Sequence, residues 1–161
     1  MPVLAALFVF PVICAFAQTE DNPQRLEIYV SPVIEVLSYS MNTPALGAGL
    51  TFGAGDEVSI GARFLYAFDG QDLQTMELSL FMRFYIFGFA PNTGLFVQVM
   101  GGASLFEYKN TVSIPTQVGS LSFGLSAGWR FIFFDSWFAE PQVRLGYPYR
   151  FSLGASAGYR F

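Results

Sequence analysis

Apolar and polar residues alternate with a period of two along most of this chain. Successive side chains of a strand point to opposite faces, so the alternation predicts β-strands that are apolar on one face and polar on the other. Eight runs carry the pattern. The first sets Leu26, Ile28, Val30, Pro32, Ile34 and Val36 against Glu27, Tyr29, Ser31, Val33 and Glu35. The second sets Leu46, Ala48, Leu50 and Phe52 against glycines and Thr51. In the third, Val58, Ile60, Ala62, Phe64 and Tyr66 oppose Ser59, Arg63 and Leu65. In the fourth, Met76, Leu78, Leu80, Met82 and Phe84 oppose Glu77, Ser79, Phe81 and Arg83. The fifth is weakest, since Leu95, Val97 and Val99 face away from residues as large as Phe96 and Met100. The last three are sharp: Leu121, Phe123, Leu125, Trp129 and Phe131 against Ser and Gly; Trp137, Ala139, Val143 and Leu145 against Glu140 and Arg144; Leu153, Ala155, Ala157, Tyr159 and Phe161 against Ser, Gly and Arg160.

Each run is close to the roughly 9–11 residues that a tilted strand needs to cross a bilayer. Short turn-rich connections are expected at 54–57, 87–94 and 134–136, with others at 38–44, 69–72, 107–116 and 148–150. Beyond residue 17 no window shows the spacing of an amphipathic helix or 18 consecutive apolar residues. The expected fold is all-β, one domain over 18–161: an eight-stranded antiparallel up-and-down transmembrane β-barrel.

Alternation alone fits two opposite arrangements, a soluble secreted ligand-binding barrel with its apolar face inward and a membrane barrel with that face outward. Three features favour the second. The nine charges within the runs, Glu27, Glu35, Arg63, Glu77, Arg83, Arg130, Glu140, Arg144 and Arg160, all fall on the polar face. That face is otherwise rich in Gly and Ser, which suit a crowded lumen better than a solvated exterior. Aromatics of the apolar face gather at run ends, with Phe52, Phe84, Trp129, Trp137 and Tyr159 toward one rim and Tyr66, Phe123, Tyr147 and Phe151 toward the other, as interfacial girdles require. In hydrocarbon an unpaired backbone group costs several kcal/mol, so spanning strands must close into a ring.

Composition agrees. Only 12% of residues are charged, where about 25% is usual. With one Lys, no His and a net charge of −4, the chain lacks the basic face of a nucleic-acid binder.

Residues 3–17 form an apolar stretch ending Ala15-Phe16-Ala17, the small-x-small pattern of a cleaved secretory signal, followed by Gln18 and a polar run. Cleavage is expected after Ala17, giving a signal peptide over 1–17 and a barrel without cysteine. Two features depart from the usual pattern: no Lys or Arg precedes Arg25, and Cys14 raises a lipoprotein alternative in which Ile13 replaces the expected small residue.

The chain resembles the small eight-stranded outer-membrane barrels that include OmpX, OmpW and the OmpA transmembrane domain. The last run carries the resemblance: Leu153, Ala155, Ala157, Tyr159 and terminal Phe161 look like the carboxy-terminal signal read by the barrel-assembly machinery. The resemblance implies an integral, monomeric protein of a bacterial outer membrane, with outer-membrane lipid, the assembly machinery and periplasmic chaperones as partners. An even strand count then places both termini in the periplasm.

A barrel of eight strands has an interior that side chains can fill. Lumenal charges are therefore expected to pair, since an isolated buried ion is very costly. A three-residue connection Phe134-Asp135-Ser136 puts Arg130 opposite Glu140. A three-residue connection Pro148-Tyr149-Arg150 puts Gly158 opposite Glu140 and Arg160 on its diagonal, so Glu140 is expected between Arg130 and Arg160. No catalytic site is expected, because there is no His to act as base near neutral pH and the Glu and Arg positions favour ion pairs. No cofactor is expected, nor a metal site. Three functional classes remain: a narrow or lateral conduit for small hydrophobic molecules, a structural envelope role, and a surface adhesin acting through its outer loops.

Overall fold

The structure is a computed structural model, and it describes residues 27–38, 42–68, 73–88, 90–108 and 116–161. The expected signal peptide, with Cys14, Ala15 and Ala17, and Gln18 just after the expected cleavage point lie outside the described residues.

Eight strands follow one another in order: β1 (Ile28–Ser38), β2 (Asn42–Gly53), β3 (Val58–Phe68), β4 (Leu73–Phe87), β5 (Gly94–Tyr108), β6 (Thr116–Phe133), β7 (Trp137–Tyr147) and β8 (Phe151–Arg160). Each pairs antiparallel with its neighbours, and β1 pairs with β8 from Tyr29↔Arg160 to Ser38↔Phe151, closing the barrel. Closure removes both sheet edges, and with them every row of unpaired backbone groups.

The faces follow the sequence pattern in all eight strands. Ile34, Leu78, Leu121 and Leu145 stand outside, each more than half exposed. The charged side chains Glu35, Arg63, Glu77, Arg83, Arg130, Glu140 and Arg144 are buried within. So wide an apolar exterior around a polar core is the arrangement of a lipid-facing barrel and the reverse of a soluble one. Aromatic contacts occupy the rims, with Phe123 stacked on Tyr147 at 5.6 Å and Trp137 edge-on to Tyr159 at 5.4 Å.

Several strands run further than expected. The connection anticipated at 38–44 shrinks because β1 reaches Ser38 and β2 starts at Asn42, with Pro44 outward opposite Val36. The connection anticipated at 107–116 likewise loses residues 107, 108 and 116 to β5 and β6, which pair out to Tyr108↔Thr116. Alternation fades at these rims while backbone pairing continues.

The lumen is packed partly by matching rings to glycines. Phe81 lies opposite Gly61, Phe96 opposite Gly128 and Phe138 opposite Gly158. A Cβ on Gly158 would stand 2.1 Å from the Val30 carbonyl and 2.7 Å from Cζ of Phe138, so the ring and the missing side chain are complementary.

Candidate functional site

The interior charges form a buried core, and the strands that carry them explain its layout. β4 descends from the rim at Leu73 with Glu77 above Arg83, whereas β7 climbs from the other rim with Glu140 below Arg144. The opposed directions match the charges level by level. Arg144 Nη2 donates to Glu77 Oε1 at 2.8 Å, and Arg83 Nη1 donates to Glu140 Oε1 at 2.7 Å. Both bridges cross the lumen over β5 and β6, whose inward positions there include Gly102, Ser122, Gly124 and Ser126. A Cβ on Gly124 would lie 3.4 Å from Arg144 Nε, so small residues leave the path for the long side chains.

On the other side Arg63 Nη1 stands 3.1 Å from Glu35 Oε2, an ion pair reaching over β2 where Gly47 and Gly49 point inward. Glu35 also accepts a hydrogen bond from Ser152, and Arg144 Nη1 lies 3.9 Å from its Oε1. Glu35, Arg63, Glu77 and Arg144 thus form one neutral cluster.

The second cluster is Glu140 with two arginines. Its Oε1 accepts from Arg83 and from Arg130, and its Oε2 accepts from Ser156 at 3.2 Å. Aromatic faces cover both guanidiniums: Arg83 lies 3.9 Å from the Phe96 centroid, and Arg130 lies 4.1 Å from Tyr29 and 4.9 Å from Phe138. Such contacts are electrostatically favourable in a dry interior.

Arg130 and Glu140 come together across β6 and β7, whose register places Gly128 opposite Gln142 and Phe131 opposite Ala139. The β7–β8 register differs from the expected one by two residues. Leu145, not Tyr147, faces Phe151, so Glu140 faces Ser156 and Gly158 faces Phe138. The physical reason is Tyr149, which turns back into the barrel and is buried against Val33, Leu37, Leu65 and Phe106, lengthening the connection. Burial pushes its phenol above the ordinary range, with the Glu77 charge adding to the shift. Arg160 is correspondingly removed from Glu140. It pairs instead with Glu27 at 3.3 Å at the rim of the chain ends, where both are partly exposed.

Both mouths of the charged core are covered. On the loop side stand Tyr149 and its apolar neighbours. On the side of the chain ends the 90–93 turn folds under the barrel: the Asn92 amide N–H donates to the Asp56 carbonyl at 2.8 Å, and its Nδ2 donates to the Gly55 carbonyl at 2.9 Å. The turn needs Gly94, whose φ is 87° and whose Cβ would lie 1.7 Å from the Phe87 carbonyl. Arg130 Nη1 reaches the Asn92 carbonyl at 3.5 Å, linking turn to core. Asn92 and Tyr149 carry no charge and lie in connections, so alternation gives no sign of them. The inward positions of Tyr85 and Gln98, which bond Arg83 at 3.3 and 3.0 Å, were readable from strand phase, although their partner was not.

Leu153, Ala155, Ala157 and Tyr159 point outward from β8, and Phe161 follows it, its N–H donating to the Ile28 carbonyl at 2.9 Å.

No protein-family model matches the chain. No curated protein matches it either. Solved structures do. The N-terminal β-barrel domain of Pseudomonas aeruginosa OprF superposes with a TM-score of 0.61 at 16% identity, covering 84% of this chain and 97% of that one. Ail, the attachment invasion locus protein of Yersinia pestis, in complex with the heparin analogue sucrose octasulfate, gives 0.58 at 13%, covering 86% and 100%. Neisserial surface protein A gives 0.57 at 10%, covering 84% and 95%. At these identities the likeness establishes the fold, that of the small eight-stranded outer-membrane barrels.

Proposed function

We propose that this chain is an integral, non-enzymatic barrel of a bacterial outer membrane, monomeric, with both termini in the periplasm, serving the envelope with its lumen closed to solutes. The observation that carries the reading is the pair of cross-lumen bridges, Arg83 to Glu140 and Arg144 to Glu77, between two covered mouths. A narrow conduit would require these bridges to part, and breaking a buried pair costs about 3–5 kcal/mol. Periplasmic chaperones and the barrel-assembly machinery are its partners in biogenesis, with Leu153, Ala155, Ala157, Tyr159 and Phe161 as the assembly signal.

Single-channel recording on residues 18–161 in planar bilayers tests the closed lumen. A flat baseline is expected, and stable unitary steps would establish a conduit instead.

One observation favours a second reading, in which the barrel presents a surface for attachment. β4, β5 and β6 are 15, 15 and 18 residues long, against 11 for β1, and their ends align outward-facing Gln74, Glu107 and Gln117. A polar row on the outer face suits the headgroup zone or water rather than hydrocarbon. Cell-binding assays with vesicles carrying the barrel, compared with a Glu107→Leu variant, test it: the row predicts binding that the variant loses.

A further inference from the structure

Seven charged side chains are buried in the lumen among the described residues: Arg63, Arg83, Arg130 and Arg144 against Glu35, Glu77 and Glu140. The cluster on the loop side is neutral, so the one excess positive charge belongs to the Glu140 cluster. Aromatic faces shield Arg83 and Arg130 but carry no net charge. An uncompensated ion in a low-dielectric interior is costly, and proteins relieve it with a counter-charge.

Space for one lies between the clusters. A cavity of about 20 Å³ is lined by Arg63 and Arg83, with Gln98, Gln142, Ser31 and Glu140 among the other groups. That is room for one water-sized particle. The lining is rich in donors. Arg63, only 3% exposed, has Nε without a hydrogen-bond partner. Gln98 accepts from Arg83 through its carbonyl oxygen, which leaves its amide hydrogens to donate. The carboxylate in the lining, Glu140, is already engaged by Arg83, Arg130 and Ser156.

We propose that this cavity is a binding site for one small monovalent anion of halide size, resident between Arg63 and Arg83 as the counter-ion of the buried core. The site goes beyond the envelope reading and does not depend on which surface role the barrel has. Size and charge define the ligand class: a single halide suits a space of this size, and a water fills it without neutralising it.

Bromide is the probe. Crystals of the barrel grown in sodium bromide are expected to show an anomalous peak in the lumen within hydrogen-bonding distance of Arg63 or Arg83. In parallel, urea unfolding in detergent is compared in sodium chloride and in sodium gluconate at equal ionic strength. At a chloride concentration ten times the dissociation constant, the folded-to-unfolded ratio is expected to rise about 11-fold. Gln98→Glu builds a fixed negative charge beside Arg83, so this variant is expected to lose both the bromide peak and the chloride dependence while remaining folded. A lumen holding only water, with identical unfolding in chloride and gluconate, would overturn the assignment. So would an undiminished bromide peak in Gln98→Glu.

Discussion

Arg83 of β4 donates to Glu140 of β7 at 2.7 Å across the lumen, although 57 residues separate them. Above it Arg144 and Glu77 repeat the bridge with the charges exchanged between the same two strands. The exchange follows from topology: one strand descends where the other climbs, so acid and base alternate in opposite order along them. Two bridges at two levels fix β4 against β7 in both distance and height.

Removing the shared carboxylate tests the lower level. Glu140→Gln leaves Arg83 and Arg130 buried without their acid and is expected to lower stability by about 3–5 kcal/mol in urea unfolding from detergent or lipid. Adding Arg83→Met should cost less than the sum of the two single changes, since neighbours in one network are not additive. Strict additivity would mean that the bridge carries no coupling.

Burial should rank the ion pairs. Arg144, almost wholly buried between Glu77 and Glu35, is expected to cost about 3–5 kcal/mol when changed to Met. Arg160, 28% exposed beside Glu27, should cost no more than about 1 kcal/mol as Gln. Equilibrium unfolding of both variants under one condition gives the comparison, and equal losses would contradict it.

Glycines inside and outside the barrel should differ as sharply. Gly158→Ala forces a Cβ against the Val30 carbonyl and the Phe138 ring and is expected to destabilise by about 1–3 kcal/mol. Gly101 faces outward with only the Ser122 carbonyl within 4 Å, at 3.9 Å, so Gly101→Ala should leave the unfolding midpoint nearly unchanged.

The lipid face makes its own prediction. Leu80 stands half exposed near the middle of β4, and Leu80→Arg should cost about 2–4 kcal/mol in vesicles. A soluble barrel would tolerate the charge there, and the loss should appear in the urea midpoint of the lipid-embedded protein.

Strand phase was legible in the sequence because charges mark it: Arg63, Glu77, Arg83, Arg130 and Arg144 share one face, and Leu78, Leu80 and Leu125 the other. Connection geometry was less so. Pairing across a tight turn follows from counting residues, which places Arg130 beside Glu140, but counting fails where Tyr149 re-enters the barrel and shifts β8 by two residues against the expected register. Partners across the lumen lie beyond such counting altogether. Whether Glu140 meets Arg83 depends on barrel tilt and on which inward positions are small, and only the closed structure combines these. The glycines show the same limit: Gly158 reads as space for a charge and proves to be space for the Phe138 ring.

The central claim is that odd-numbered residues of β6 face lipid and even-numbered ones face a closed interior. The 18–161 chain lacks cysteine, so single cysteines can be placed one at a time from Leu121 to Phe131, labelled with a fluorophore and reconstituted in vesicles containing brominated lipid. Strong quenching at 121, 123, 125, 127, 129 and 131, with weak quenching between them, is the predicted result. Quenching of the opposite parity, or none with period two, would contradict the account.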